Sequence, residues 1–426
     1  MDPIHPDKIF LPTRVWSIRH PIDSDRWRPV VFESDDWGSA ESAPDIATAQ
    51  RVAHAWNDYY QSDRAVLTTL ESPADLERLF AALEKFHGVD GLPAVFTAFA
   101  CVANPDFDAI RRANFSRYAW IGIDRGVPQG WERGAITAAW RAGITRGVFA
   151  PEFHSFLHHT CPKTWMQLLT TPGRDGDLAR KLFDLNVFTQ GRHIPEYEGL
   201  NVREQAIQVK AGIETFTRAV GYEPAAAVTS DAYPVTEVIW ALCGIRTVCL
   251  KNCKDHNGAV VVYHTKPWNN QDPYVPMGAY SPLEDVVYLS RNAWLENEPA
   301  DETGPIIQRL WAQGEPAVVS SHRIHYVSLR PENVDQGFAR LEDLLGRLTA
   351  AGARFLTSAE LGDLYRQGWS LRAVGPKQIL RKWSEDSEPI RFPNNARHLI
   401  QRPDRHRFEI GANGAAKLPL GDYELE

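Results

Sequence analysis

Short apolar runs alternate with amphipathic stretches from residue 29 onward, which is the pattern of repeated strand–helix units. The candidate strands share a continuous apolar character and cover 29–32, 65–70, 94–99, 147–149, 225–229, 247–250, 316–320 and 354–356. The candidate helices lie between them and cover 134–145, 163–171, 202–219, 234–243, 303–313 and 332–351. One further helix is predicted between an N-cap at Ser72 and a stop at Gly88, with Pro73 in its first turn.

This arrangement predicts an α/β fold. Apolar strands that are spaced by helices favour a parallel sheet covered on both faces. Seven or eight such units in about 330 residues favour a closed barrel over an open sheet. We expect an N-terminal extension at 1–28, a barrel at 29–371 and a C-terminal extension at 372–426. The apolar periodicity fades in that last segment, which predicts irregular or short β structure packed on the barrel.

Composition places the chain among soluble globular proteins, because 43% of its 426 residues are hydrophobic and 23% are charged. Lysine and arginine number 46 against 54 acidic residues, a net charge of −8 that offers no general attraction to nucleic acid or anionic membranes. Five cysteines do not suggest a disulfide framework, and neither a signal sequence nor an apolar run of membrane-spanning length is present. We therefore expect a cytoplasmic protein with a small or neutral partner, either monomeric or assembled as a homo-oligomer.

Two adjacent carboxylates, Asp35 and Asp36, follow the first apolar run. Neighbouring side chains at a strand end project in different directions, so one carboxylate can hold a metal while the other acts as a base. The alternative is structural, since aspartates in this position also cap helices or close turns.

Histidines follow two other candidate strands. His154 and His158 are four residues apart, which places both rings on one side of a helical turn and suits two imidazoles on one divalent ion. A polar, partly exposed turn is the alternative. His322 ends the strand at 316–320, where it could act as an acid or simply form a structural hydrogen bond.

The coincidence of these segments favours a functional site. The carboxyl ends of barrel strands converge on one face, where active sites lie. Two imidazoles and one carboxylate on that face would leave coordination positions open for water and substrate.

In this order the segments resemble the polysaccharide deacetylase (NodB homology) family of metal-dependent carbohydrate esterases. The family's Thr-Phe-Asp-Asp-Gly motif is similar to residues 32–38, its His-Ser/Thr-x-x-His motif to 154–158, and its late strand ending in histidine to 318–322. The resemblance implies a distorted (β/α)7–8 barrel over about residues 29 to 357, which agrees with the number of predicted strands. It implies that Asp35 is the general base and His322 the general acid. The implied ligands of one divalent ion are Asp36, His154 and His158, with zinc preferred and cobalt, nickel or manganese as alternatives.

The family's Arg-x-Pro-Tyr motif, whose arginine orients the catalytic aspartate, has no match in residues 225–234. Arg291 and Arg323 are the candidates to supply that guanidinium, although each could equally be an ordinary surface arginine. Trp37, beside the carboxylate pair, is a candidate for stacking on a sugar ring. Asp255 is a weak candidate for the family's fourth motif.

The sequence thus predicts a metal-dependent hydrolase that removes an acetyl or similar acyl group from an N-acylated sugar or glycan precursor. Divalent metals polarise acyl carbonyls and make water more acidic, which is the chemistry such a reaction needs. Two alternatives stay open. The same barrel could hydrolyse another linear or cyclic amide, or it could be an inactive carbohydrate-binding protein.

Overall fold

The structure is a computed structural model with an α/β fold. It describes residues 16–57, 67–158, 161–188, 196–229, 232–249, 253–254, 260–261, 274–296, 300–386, 390, 392, 398–402, 404–411, 416 and 418–426.

The strands, in chain order, are β1 Ser17–Ile18, β2 Pro29–Trp37, β3 Phe96–Cys101, β4 Ala103–Pro105, β5 Trp120–Gly122, β6 Phe149–Ser155, β7 Ala226–Ala227, β8 Thr247–Val248, β9 Cys253–Lys254, β10 Val260–Val261, β11 Ala279–Ser281, β12 Val286–Tyr288, β13 Ala293–Trp294, β14 Ala317–His322, β15 Arg354–Leu356, β16 Trp369–Val374, β17 Lys377–Lys382, β18 His398–Arg402, β19 Arg407–Glu409 and β20 Gly421–Leu425.

The helices are α1 Ser24–Trp27, α2 Ile46–Asn57, α3 Pro73–Leu83, α4 Phe107–Arg112, α5 Ile136–Arg146, α6 Pro162–Thr170, α7 Arg174–Asp184, α8 Val202–Val220, α9 Pro234–Leu242, α10 Ala300–Ala312, α11 Pro331–Ala350 and α12 Ser358–Gln367. A short 3-10 turn covers Arg323–His325. None of the helices in the described ranges combines the length and apolar character needed to cross a membrane.

The parallel strands form a ring. Starting at β8, the order of hydrogen-bonded neighbours is β8, β7, β6, β3, β2 and β14. The segment 286–294 joins the two ends, because its β12 pairs with β8 and its β13 pairs with β14, both in parallel. This ring confirms the predicted distorted (β/α) barrel, with β1 and β11 as antiparallel additions to the same sheet.

β2 pairs with three other strands, and all nine of its residues are buried. β15 pairs with its first residues, Pro29–Val31, while β3 pairs with it from Phe32 onward. β14 pairs in register along the other side and places His322 opposite Asp35. Full burial on both faces explains why the strand has the continuous apolar start Val30–Phe32 rather than an alternating pattern.

Local sequence explains where the helices begin. Ser72 accepts a hydrogen bond from the backbone of Asp75, and the Asp75 carboxylate accepts one from the backbone of Ser72, which forms a capping box at the start of α3. The helix then buries Leu76, Leu79 and Phe80 against the barrel.

The predicted strand at 65–70 is wrong in its described part, because residues 67–70 form only one isolated bridge, from Thr68 to Ser328.

The C-terminal residues form an antiparallel sheet of five strands in the order β16, β17, β20, β18 and β19. The predicted extension is therefore β structure, as expected. The boundary placed between residues 371 and 372 falls inside β16. Arg381, on β17, has no exposed surface and binds carboxylates of the barrel region, which ties the sheet to the barrel.

Candidate metal centre

The end of β2 is bent so that its two aspartates face different partners. The pairing of β2 with β3 shifts register between Ser34 and Trp37, and Asp36 has a positive φ of 75°. Gly38 follows with a φ of 80°, and a Cβ on it would lie 2.4 Å from the carbonyl oxygen of Cys101. Only glycine fits this turn, so the Asp-Asp-x-Gly pattern reflects the backbone path that separates the two carboxylates.

Asp36, His154 and His158 form the one group of three potential metal-ligand side chains among the described residues, with their ligand atoms within 4.8 Å of one another. Nε2 of His158 lies 2.8 Å from Oδ1 of Asp36, and Nε2 of His154 lies 3.6 Å from the same oxygen. All three residues are buried. The structure therefore brings together the histidine pair predicted from its spacing and the aspartate that the motif resemblance implies as the third ligand.

The histidines do not lie on a helical turn, however. His154 belongs to β6, and the chain then bends until His158 adopts a φ of 61°. The hydroxyl of Ser155 accepts a hydrogen bond from the His158 backbone at 2.7 Å, and Glu196 accepts bonds from the backbone of Phe156 and Leu157. These contacts hold the bend, which returns the second ring to the same side as the first.

The residues present fit a divalent ion. Oδ1 of Asp36 is buried and has no well-aligned hydrogen-bond donor among the described residues, despite its short distance to His158. A buried carboxylate oxygen without such a donor is costly unless a cation compensates it. Two imidazoles and a carboxylate are also a donor set that zinc and similar metals accept.

The electrostatics agree with a shared cation. Burial raises the pKa of Asp36, but the charge of His158 and the close approach of both histidine rings outweigh it and hold the pKa well below its ordinary value. Burial lowers the pKa of His158, but Glu41 and Asp36 outweigh that effect and raise it well above its ordinary value. Negative charge therefore predominates around the ring of His158.

Asp35 is held by an arginine. Nη1 and Nη2 of Arg291 lie 2.8 and 2.5 Å from the two oxygens of Asp35, and Nε of the same guanidinium lies 2.8 Å from Glu33. Burial raises the pKa of Asp35, but the charge of Arg291, followed by those of His154 and His322, holds it below its ordinary value. Of the two arginines considered from the sequence, Arg291 is therefore the one that contacts Asp35.

His322 is held by a carboxylate that the sequence analysis missed. Nδ1 of His322 lies 2.5 Å from Glu296, and its Nε2 lies 3.7 Å from Oδ2 of Asp35. Burial lowers the pKa of His322, but the hydrogen bond and charge of Glu296 raise it to about 9. Burial raises the pKa of Glu296, but His322 lowers it to about 2. The pair is therefore ionised at neutral pH, with a proton on His322.

Trp37 and Arg323 are both fully buried. Trp37 has no exposed surface, donates a hydrogen bond to Ser34 and packs against Phe149. Its position does not support stacking on a sugar. Arg323 is also fully buried, and its guanidinium binds Glu71 at 2.9 Å. Asp255 lies outside the described residues.

Three buried or nearly buried carboxylates complete the site and were not singled out from the sequence. Glu33 holds Arg291, Glu296 holds His322, and Glu41 contacts His158. Glu33 could have been found from the sequence, because it lies two residues before Asp35 on the same strand and such residues face the same side. Glu41 and Glu296 lie in loops, where a single glutamate has no distinguishing pattern.

No protein-family model matches the chain, and no curated protein matches it by sequence. Solved structures that resemble it include a putative polysaccharide deacetylase from Mycobacterium smegmatis, with 11% identity, a TM-score of 0.35, and coverage of 84% of this chain and 94% of that one. T48 deacetylase with substrate shows 9% identity, a TM-score of 0.29, and coverage of 78% and 89%. A point mutant of peptidoglycan deacetylase PdaC from Bacillus subtilis shows 10% identity, a TM-score of 0.28, and coverage of 80% and 92%.

Proposed function

We propose that this chain is a metal-dependent hydrolase that removes an acetyl or related acyl group from an N-acylated sugar or glycan precursor. One observation carries the proposal: Asp35 lies between His154 and His322, with its Oδ2 at 4.0 Å from one and 3.7 Å from the other. A carboxylate, a protonated histidine and a three-residue metal site thus meet at one end of the barrel. The deacetylase activity named for the structural neighbours is the same, but the proposal rests on the site itself.

Asp36, His154 and His158 would hold the metal, with zinc as the proposed ion. When bound there, a divalent metal supplies Lewis-acid polarisation of the acyl carbonyl and lowers the pKa of water. Three protein ligands would leave coordination positions of such an ion open for water and substrate.

Asp35 is the proposed general base. It is ionised at neutral pH, because Arg291 holds its pKa below the ordinary value. The bidentate contact with Arg291 also fixes the carboxylate plane, so that Oδ2 faces the two histidines. From that position Asp35 accepts the proton of the attacking water molecule.

His322 is the proposed general acid. With a pKa raised to about 9, it carries its proton at neutral pH. Glu296 binds Nδ1, which leaves the Nε2 proton directed toward the reacting atoms. When the C–N bond of the tetrahedral species breaks, His322 donates this proton to the leaving amine nitrogen.

The motif resemblance supports a sugar as the substrate. The geometry of the site supports only the reaction type, which is transfer of an acyl group to water. Hydrolysis of a non-sugar amide is the second candidate, and the burial of Trp37 favours it, because this ring cannot provide sugar stacking. A binding protein without turnover is disfavoured, because both proposed proton-transfer residues are in place. The proposal includes a cytoplasmic location, which the free thiols of Cys101, Cys161, Cys243 and Cys249 support.

The test combines metal analysis with product release. We expect about one zinc ion per chain in the purified protein and acetate release from N-acetylated sugars. Asp35→Asn should lower kcat by about 10²–10⁴-fold while metal stays bound, whereas Asp36→Asn should lose the metal. Metal binding without release of acetate from any sugar, but with hydrolysis of other amides, would select the second candidate. A chain that binds no metal would overturn the proposal.

A further inference from the structure

We propose that Glu41 is a positioning residue that fixes the ring of His158 for metal binding. Glu41 lies in the loop between β2 and α2, and its carboxylate contacts Nδ1 of His158. Nothing in the motif resemblance assigns a role to this position. The inference rests on the proposed metal centre and adds to it a residue that controls its affinity.

The two ring nitrogens of His158 face different carboxylates. Nδ1 contacts Oε1 of Glu41, while Nε2 lies 2.8 Å from Oδ1 of Asp36. A carboxylate on Nδ1 keeps the proton on that nitrogen and leaves the lone pair of Nε2 for the metal. The ring is thereby held in the tautomer and orientation that coordination requires.

Glu41 is not itself part of the ligand group. The ligand atoms of Asp36, His154 and His158 lie within 4.8 Å of one another, and Glu41 does not join that group. Its side chain is 16% exposed, against 6% for His158, so it lies slightly further out than the ring it holds. The arrangement is a carboxylate, an imidazole and a metal position in sequence, which is how histidine ligands are commonly oriented.

The other histidine ligand lacks this support. Nδ1 of His154 is buried and has no hydrogen-bond partner within the described part of the chain. His154 is instead placed by β6, because its backbone belongs to the barrel sheet. His158 follows a bend with a positive φ, so its side chain depends more on contacts made by the ring. Loss of Glu41 should therefore affect His158 selectively.

The experiment measures zinc affinity of the full-length chain by competition with a chromophoric chelator, after metal has been removed by dialysis. We expect Glu41→Ala to weaken zinc binding by about 10–100-fold. Glu41→Gln should weaken it less, because the amide oxygen can still accept the Nδ1 hydrogen bond without a charge. The metal-free form of each variant is checked by thermal unfolding, and Glu41→Gln keeps the test valid if the alanine variant does not fold.

Glu296→Gln is the matched control. Glu296 holds His322 through Nδ1 in the same way, but His322 lies outside the ligand group, so zinc affinity should stay at the wild-type value. Histidine ¹⁵N spectra provide a second measurement. The zinc-loaded wild type should show His158 protonated on Nδ1, and this form should diminish in Glu41→Ala.

The outcomes separate the two proposals. Weaker zinc binding in both Glu41 variants, with unchanged affinity in Glu296→Gln, supports the role of Glu41. Equal affinity in wild type and Glu41→Ala, or coordination through Nδ1 of His158, overturns that role and leaves the metal centre intact. Failure of the folded wild type to bind zinc or another divalent ion overturns the metal centre and the role of Glu41 together.

Discussion

Arg291 donates hydrogen bonds from both terminal nitrogens to the carboxylate of Asp35, at 2.8 and 2.5 Å, although the two residues are 256 positions apart in sequence. Arg291 lies between β12 and β13, in the segment that joins the two ends of the parallel sheet. The same guanidinium also binds Glu33, so two buried carboxylates share one buried cation. Closure of the barrel and charge balance at the proposed base therefore depend on the same short segment.

Removing this cation should destabilise the fold. Arg291→Met leaves Asp35 and Glu33 buried without their partner, and we expect the free energy of unfolding to fall by about 3–5 kcal/mol. Arg291→Lys keeps the charge but cannot bind both oxygens of Asp35 and Glu33 together, so it should fold better than Arg291→Met and still lose activity. Urea unfolding and acetate release measure the two effects.

Arg78→Met serves as the control for that comparison. Arg78 binds Asp335 at 2.7 Å on the surface, where both side chains are at least half exposed. Such a pair contributes about 0–1 kcal/mol, so the control should unfold close to wild type. A similar loss of stability in both variants would contradict the importance assigned to the buried contact.

The sequence indicated the proposed metal ligands more clearly than the residues that support them. Asp36, His154 and His158 carry a local signal, because polar ligand types directly follow apolar strands. Arg291 could only be offered as one of two candidates, since a contact across 256 residues leaves no trace in spacing. Arg323, the other candidate, binds the buried Glu71 instead, and nothing in the local sequence distinguishes these two environments.

The pH dependence of hydrolysis should report the Glu296–His322 pair. Because Glu296 raises the pKa of His322 to about 9, kcat/KM should fall as the pH rises through about 9 and the acid loses its proton. Glu296→Gln removes the charge and weakens the hydrogen bond that raise this pKa. The descending limb should then move to lower pH, toward the ordinary histidine value of 6.5.

The free energy of unfolding should also depend on pH through Glu296 and His322, and the direction of each contribution follows from its pKa shift. The folded pKa of His322 lies above 6.5, so its contribution is fully present below pH 6.5 and is lost as the pH rises through about 9. The folded pKa of Glu296 lies below 4.5, so its contribution is present above pH 4.5 and is lost as the pH falls through about 2. An unchanged pH profile of kcat/KM in Glu296→Gln would reassign the acid role away from His322.

Trp37 should matter for folding rather than for substrate binding. Its ring is fully buried, packs edge-on against Phe149 and donates a hydrogen bond to Ser34. We expect Trp37→Phe to lower the free energy of unfolding by about 1–3 kcal/mol, through the lost hydrogen bond and ring volume, without a change in KM. Trp131→Phe is the matched control, since Trp131 is equally buried and donates to the Asn186 backbone. A rise in KM for Trp37→Phe alone would restore the substrate role.

The two strands that close the barrel illustrate why part of the fold escaped sequence analysis. The strands β12 and β13 contain three and two residues, too few to show periodicity. They are recognisable only through their partners, since β12 pairs with β8 and β13 with β14. By contrast, the long helices α8 and α11 were predicted nearly to their ends, because nineteen and twenty residues carry a clear amphipathic pattern.

The C-terminal sheet should contribute to the stability of the barrel through Arg381. Its guanidinium binds Asp90 at 2.6 Å, Glu360 of α12 at 3.3 Å and Asp422 of β20 at 3.5 Å, and all four residues are buried. Arg381→Met would leave three buried carboxylates around an apolar side chain. We expect a loss of about 3–5 kcal/mol in the free energy of unfolding, measured by urea denaturation.

Lys377→Met, on the same strand, provides the comparison for Arg381→Met. Lys377 binds Glu424 at 3.0 Å, but its side chain is 51% exposed, so the loss should be at most about 1 kcal/mol. Zinc affinity should be unchanged in both variants under conditions where they are folded, because neither residue contacts the ligand group of Asp36, His154 and His158. Equal stability of the two variants would show that the buried network does not fasten the sheet. The packing of Trp383 against Trp27 and the barrel core would then have to do so.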